Sequence, residues 1–319
     1  MSTPLVTVIV PGRDVAAFAD EALESLRGQT MAHWRAILVD DGSIDETGAL
    51  FAAATADERF TLIRRPTSRG LAAARNAALD LVDTPFVAFL DADDVLTPRA
   101  LERLTGTLTR TGSDVVVGAY VRLRPDGAGG YAAGDVQPWV RAATDPERLG
   151  TSLDAHPEVS GNIVAWSKVS RVELWRRLGL RFPEGRFYED QIVAQRLYAA
   201  ARAIDVIPDV VVQWRERADG SSITQRKDTP AVLADYLDAL RGGIAVLDGA
   251  NQRAAARARV RLILEMDVPP LVRIAQHHSD DGYRRAVGAL VRELAARADA
   301  ESVALDPATE DLRTAATLW

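Results

Sequence analysis

The chain has 319 residues, 47% hydrophobic and 26% charged, and its 38 Lys and Arg set against 45 Asp and Glu give a formal charge of -7. This balance argues against a mainly electrostatic nucleic-acid binder, so no nucleic-acid partner is expected. With no cysteine in the sequence, disulfides, thiolate catalysis and Cys-based zinc sites are excluded.

A chain of this length is expected to fold as a principal domain with an added module. The opening stretch MSTPLVTVIVPGRD lacks a basic leader, and its apolar run is too short for a signal peptide or a membrane span, so Leu5 to Val10 reads as a first strand. No later segment approaches the roughly 20 apolar residues a spanning helix needs. The expectation is a cytoplasmic protein whose membrane association is at most peripheral, at the inner face.

Apolar spacing then predicts a helix over Val15 to Arg27, through Phe18, Ala22, Leu23 and Leu26, and a strand over Ala36 to Asp40. Further strands are expected at Phe60 to Ile63, Phe86 to Leu90 and Asp114 to Ala119, with a helix over Leu71 to Leu81. Residues 121–165, with Pro125-Asp126-Gly127 and Gly129-Gly130, read as irregular. Helical patterning resumes near Ser170 and over Gln191 to Ala200, and a strand follows from Ala203 to Trp214. The polar stretch Arg215 to Ser222 reads as its end and a loop. From Pro230 onward Leu233, Leu237, Leu240, Ile244 and Leu247 lie one or two helical turns apart, and Arg-rich amphipathic stretches cover 251–266 and 281–298. The fold class is α/β, a doubly wound, mainly parallel sheet flanked by helices over 1–228, with a helical C-terminal module over 229–319.

In such sheets ligands bind beyond the carboxyl ends of the strands, and those ends carry Pro11-Gly12-Arg13-Asp14, Asp40-Asp41-Gly42-Ser43 and Asp91-Ala92-Asp93-Asp94. Three carboxylates within four positions repel one another unless a cation is bound, and Mg2+ or Mn2+ takes oxygen ligands while leaving sites for substrate phosphates. The alternative is a solvated acidic turn ahead of the helix that starts near Pro98. Asp40 and Asp41 suit a ribose or base edge, whereas Ser43 and Asp45 are equally explained as caps of the next helix.

The order of these motifs resembles family 2 glycosyltransferases of the GT-A fold. That family has a VSVIVPxYN strand, then VDDGSxDxT, NxGxxxARNxG and a DxD metal motif. The matches here are Val6 to Pro11, Val39 to Thr47, Gly70 to Ala77 and Phe89 to Asp94, joined by Gly185 to Asp190 for F-x-E-D and more loosely by Ala165 to Lys168 for W-N-K. The resemblance implies a nucleotide-sugar-binding half over 1–120 and an acceptor-binding half over 121–228. It implies a sugar donor lined by Pro11, Arg13, Asp40, Asp41, Ser68, Arg75, Asp91 and Ala92, with Mn2+ or Mg2+ on Asp93. Asp190 would be the general base of an inverting transfer, although on its own it also suits the N-terminus of the helix that follows. Lys168, Glu189 and Arg215 are candidate acceptor or diphosphate contacts, and one of Trp139, Trp166, Trp175 and Trp214 is expected to touch the acceptor. Arg13-Asp14 replaces the family's Tyr-Asn, Ser68 stands for Asn, and the QxxRW signature of processive synthases is missing, which implies one sugar per encounter.

The donor is expected to be a UDP-sugar and the acceptor a glycan or polymer of a bacterial surface, because related transferases carry such helical additions. The helical module suits homo-oligomerisation, acceptor docking or attachment of a further domain equally. Two rivals remain at this level: a non-catalytic nucleotide- or glycan-binding module of the same fold, and a nucleotidyltransferase, for which Pro11-Gly12-Arg13 is a poor phosphate loop.

Overall fold

The computed structural model describes residues 3–218 and 227–319. Its strands form where the apolar runs are buried on both faces, as a parallel sheet covered by helices requires. Strand β1 (Val6–Gly12) is buried along its whole length and pairs in parallel with β2 (Trp34–Asp41) and β4 (Phe86–Phe89). Strand β2 pairs in parallel with β3 (Phe60–Arg65). Helices α1 (Ala16–Arg27), α2 (Thr47–Ala54) and α3 (Leu71–Leu79) make the crossovers, α1 burying Ala19, Ala22, Leu23 and Leu26.

Beyond β4 come the short β5 (Val95–Leu96), α4 (Ala100–Thr111), β6 (Val115–Pro125) and β7 (Tyr131–Val136). Residues 121–165 are thus not irregular as expected. Asp126 accepts hydrogen bonds from the N–H groups of Ala128 and Gly130, while Gly127 and Gly129 take φ of +79° and +92°, closing a turn that sends β7 back along β6. Helix α5 (Pro138–Thr144), β8 (Arg148–Thr151) and a short 3-10 turn at Pro157–Gly161 follow.

Strand β9 (Lys168–Arg171) enters antiparallel between β4 and β6. After α6 (Val172–Leu178) and α7 (Asp190–Ala200), β10 (Ile204–Arg215) runs parallel to β6 and antiparallel to β5 and β8. Among the described residues the sheet has ten strands in the order β3-β2-β1-β4-β9-β6-β10-β5, with β7 added to β6 and β8 to β10. Arg215 closes β10, and Asp219 to Ser222 of the expected loop lie outside the described residues.

The C-terminal region is helical: α8 (Pro230–Gly249), α9 (Arg253–Leu262), a π-turn at Ile263–Asp267, α10 (Val268–His277), α11 (Asp281–Ala300) and α12 (Glu310–Thr317). Leu233, Leu237, Leu240, Val260, Leu271 and Leu290 share a second core, while Leu247, Ala255 and Ala256 join the core of the sheet. The pattern of the sequence misses α10 because Pro269 and Pro270, which sit just after the π-turn at the start of α10, interrupt it. Among the described residues no helix is long and apolar enough to cross a membrane.

Candidate active site

The parallel register sets Pro11 beside Val39 and Gly12 beside Asp40, and the N–H of Ala92 donates to the carbonyl of Pro11 at 3.3 Å. The three polar strand ends therefore meet at one crevice, as the sequence predicts. The first loops are stapled together: Ile44 N–H donates to Asp14 Oδ1 (2.9 Å), Ala16 N–H to Asp45 Oδ2 (3.0 Å), and Val15 N–H to Thr47 Oγ1 (2.8 Å). Asp45 and Thr47 thereby satisfy amides at the start of α1 that no helical carbonyl reaches. Arg13 is more than half exposed and, among the described residues, pairs with Asp14.

Asp40 is buried, accepts from Ser43 N–H (3.0 Å) and pairs with Arg64 (3.2 Å). Asp41 collects donors from Arg65 (3.0 Å), Ser68 Oγ (2.7 Å), and the N–H groups of Arg69 (3.1 Å) and Gly70 (2.8 Å). Burial would raise its pKa, but these bonds outweigh it and hold the carboxyl below its ordinary value. With its lone pairs taken, Asp41 organises the 65–70 loop rather than offering a free acceptor to a base. Gly42 makes the approach of that loop possible: its φ is +72°, and a Cβ there would lie 2.5 Å from the backbone nitrogen of Ser68.

The acidic strand end divides by burial. Asp91 and Asp93 keep 25% and 18% of their side chains exposed, while Asp94 is buried. Asp94 accepts from the N–H of Arg215 (2.8 Å) through Oδ1, and its buried Oδ2 has no partner among the described residues. Burial, then Asp93 and Asp91, push the Asp94 carboxyl well above the ordinary range, which favours its protonated form. Burial also raises Asp93, against the pull of Arg217, with Asp91 adding to the rise. Arg217 pairs with Asp93 Oδ2 at 2.7 Å. Ala92 is buried and contributes backbone only.

Among the described residues no three His, Asp or Glu side chains group as a metal cage. The site instead offers two partly exposed carboxylates, Asp93 and Asp91, beside one another on a strand end. That set fits a hard divalent cation that takes one or two protein oxygens and completes its shell from substrate phosphates and water.

Arg75 joins this acidic end to the F-x-E-D segment. The side chain is almost fully buried and donates to Asp91 at 2.6 Å and to Glu189 at 2.8 Å. Burial would lower its pKa, yet Asp91 and Glu189 raise it, so it stays charged. Burial pushes Glu189 up to about 7 against the attraction of Arg75. Asp190, the first residue of α7, is half-buried; burial lifts its pKa while Arg75 and Lys168 pull it back.

Four of the residues expected at the donor or acceptor sit elsewhere. Arg75 is spent on its buried bridge and does not reach the crevice as a donor contact; Glu189 is its inner partner. Lys168 is buried, its ammonium held by the carbonyl of Val164 and by Asn162 Oδ1 (3.2 Å), and burial brings its pKa down to about 7. Arg215 is buried too, paired with Glu21, donating to the carbonyl of Asp93 (2.7 Å) and lying over Tyr131. Arg217 is instead the cation aimed at Asp93. Of the tryptophans, Trp166 and Trp175 are core residues, while Trp139 and Trp214 are half-buried on either side of Arg122.

Comparison with known proteins gives a consistent result. A sequence profile described as Glycosyl transferase family 2 matches residues 7–168. The chain is 29% identical over 231 residues to the uncharacterized glycosyltransferase EpsJ of Bacillus subtilis (strain 168), covering 72% of this chain and 65% of EpsJ, just under two thirds of that relative's length. Among solved structures, S. aureus TarS 1-349 in complex with UDP-GlcNAc superposes with a TM-score of 0.72 at 20% identity, over 92% of this chain and 83% of the TarS chain. The mannosyltransferase PcManGT from Pyrobaculum calidifontis, in complex with GDP-Man and Mn2+, superposes with a TM-score of 0.54 at 18% identity, over 99% of this chain and 81% of that one. At these identities the two structures speak to the fold, which is GT-A.

Proposed function

Because the chain belongs to glycosyl transferase family 2, we propose that it transfers a sugar from a nucleotide-sugar to an acceptor hydroxyl with inversion at the anomeric carbon. The observation that supports this reading is the Arg75 bridge, which ties Glu189, the neighbour of Asp190, to Asp91 of the acidic strand end.

In this reading Pro11 and Gly12 line the nucleoside, and the loop held by Asp41 shapes the wall beside it. Asp93, with Asp91, would hold Mn2+ or Mg2+, which would supply positive charge to a departing nucleoside diphosphate. Arg217 stands next to the same phosphates. Asp190 takes the proton of the acceptor hydroxyl as the hydroxyl oxygen forms its bond to the anomeric carbon and the bond to the diphosphate breaks. A UDP-sugar with a hexose or N-acetylhexosamine is the proposed donor, supported by the UDP-GlcNAc bound by TarS, and the Mn2+ of PcManGT supports the metal. The proposed acceptor is a bacterial surface glycan or polymer.

The test is turnover of a UDP-sugar panel with Mn2+, followed by Asp93→Asn and Asp190→Asn. Loss of about 10²–10⁴-fold in kcat for Asp190→Asn, with donor binding retained, is expected of a general base. Asp93→Asn should lose metal-dependent donor binding instead. Normal turnover by both folded variants sinks the reading.

A further inference from the structure

The orientation of Asp190 is set from outside the sheet. Among the described residues no side chain hydrogen-bonds the Asp190 carboxylate, so its direction depends on the backbone of residues 186–191. That backbone is unusual: Tyr188 has φ of +58°, a left-handed conformation that bulky residues rarely adopt without constraint.

The constraint comes from the C-terminal helices, beyond the 7–168 span of the family match. Asp235 on α8 accepts from the N–H of Phe187 (3.0 Å) through Oδ2 and from Arg186 (2.8 Å) through Oδ1. The next residue, Tyr236, packs its ring 4.3 Å from that of Tyr188, and Lys227 lies 4.0 Å over the Tyr236 ring. Tyr236 Oη donates to Asp267 Oδ1 (2.6 Å), Asp267 pairs with buried Arg259 (3.2 Å), and Arg259 donates to Gln191 Oε1 (3.0 Å). The chain is thus gripped at Phe187 on one side of Asp190, by Asp235, and at Gln191 on the other, by Arg259 at the end of the hydrogen-bonded run from the adjacent Tyr236.

We propose that Asp235 and Tyr236 are positioning residues for the base, so that the C-terminal helices aim Asp190 and are part of the transfer machinery. The inference rests on the assignment of Asp190 as base. A network that served only to join the two cores would affect stability and donor binding together. A network that aims Asp190 affects turnover beyond any change in donor affinity, because the donor crevice lies on β1, β2 and β4.

The experiment uses the full chain and the UDP-sugar from which the wild type releases UDP fastest among UDP-GlcNAc, UDP-Glc and UDP-Gal. Asp235→Ala, the milder Asp235→Asn, Tyr236→Ala and Tyr236→Phe are compared for melting temperature, donor Kd by calorimetry, kcat and the pH profile of kcat. We expect kcat to fall by at least tenfold in Asp235→Ala with donor Kd changed less than threefold. Burial is the largest cause raising the Asp190 pKa, so a loosened loop that admits water moves the acid limb of kcat to lower pH. Tyr236→Phe, which keeps the ring against Tyr188, should recover most of the kcat lost in Tyr236→Ala. Unchanged kcat and pH profile in folded Asp235→Ala or Asp235→Asn overturns the proposal, as does a loss of kcat matched by an equal loss of donor affinity. A fully active Asp190→Asn overturns the base assignment and this inference with it. An inactive Asp190→Asn beside a normal Asp235→Ala overturns the inference alone.

Discussion

Arg75 and Glu189 are 114 positions apart in sequence, both nearly inaccessible to water, and joined by a 2.8 Å ion pair that is the inner half of a bridge to Asp91. Removing one partner of a buried pair leaves the other charge without compensation, which typically costs about 3–5 kcal/mol. Arg75→Ala is therefore expected to lose stability in that range by urea unfolding. Arg75→Lys should recover only part of it, because an ammonium cannot present the guanidinium fork to two carboxylates at once. An Arg75→Ala variant as stable as the wild type would show that the bridge carries no net weight.

Glu189 makes the same bridge sensitive to pH. Its carboxyl, pushed up to about 7 by burial against Arg75, holds a proton in the folded protein at pH values where the unfolded chain has released it. Such a group contributes stability that is fully present below its unfolded pKa and is lost as pH rises through the folded one. Stability of the wild type relative to Glu189→Gln should fall as pH is raised from about 4.5, an ordinary glutamate value, toward 7. A difference that stays flat across this window, by denaturant unfolding at each pH, contradicts the raised pKa.

Gly42 lets the 65–70 loop, the proposed wall of the donor site, close on the end of β2. A Cβ there would lie 2.5 Å from the Ser68 backbone nitrogen, and φ is +72°, so Gly42→Ala meets both a backbone clash and a strained conformation, worth about 1–3 kcal/mol. The clash falls on the loop that Asp41 holds, so the variant should bind donor more weakly as well as melt earlier. Calorimetry with the donor and a thermal melt check the two effects; normal donor affinity would detach this loop from the nucleoside site.

The strands around the donor crevice are legible in the sequence because burial on both faces leaves continuous Val, Ile and Leu runs, as in Val6 to Val10 and Ala36 to Val39. Strand β9 is not, since Lys168–Arg171 is four residues long and contains a lysine that only the surrounding core makes buried. At the site, motif order points to the acidic strand ends and to Asp190, and the structure ties Asp91 to Glu189, the neighbour of Asp190, through Arg75. It does not give the partners of the cations. Arg75 on α3 looks like a donor contact until the fold brings Glu189 to it, and of Arg215 and Arg217 only the second is turned to the Asp93 carboxylate. Long side chains are placed by tertiary contacts, and these contacts span more than a hundred residues. The left-handed Tyr188 and its grip by α8 leave no local mark in the sequence at all.

Lys168 lies behind Asp190, and its positive charge is one of the two that lower the Asp190 pKa. In Lys168→Met that attraction is gone, so the acid limb of the kcat profile should move to higher pH, the direction opposite to that expected for Asp235→Ala. The substitution has a second readout. With a folded pKa near 7, well below an ordinary lysine, the folded protein binds fewer protons than the unfolded chain between about 7 and 10.4, so stability gains with pH across that interval. Lys168→Met should lack this gain, and denaturant unfolding at both ends of the interval measures it.

Arg217 pairs with Asp93 Oδ2 at 2.7 Å, the carboxylate oxygen that a divalent cation would need if Asp93 is its ligand, as proposed. Two cations compete for one anion, so the pair opposes metal binding until another negative group draws the arginine away, and a donor diphosphate is such a group. It follows that Arg217→Ala should bind Mn2+ alone more tightly than the wild type does, while binding nucleoside diphosphate more weakly. An interaction of about 1–2 kcal/mol for a partly buried pair corresponds to roughly 5- to 30-fold in metal affinity. Calorimetric titration with MnCl2 in the absence of nucleotide reads the first effect directly, since no turnover is involved. Should Mn2+ bind equally to both proteins, the pairing seen here does not gate the metal, and Asp93 must release Arg217 at no measurable cost.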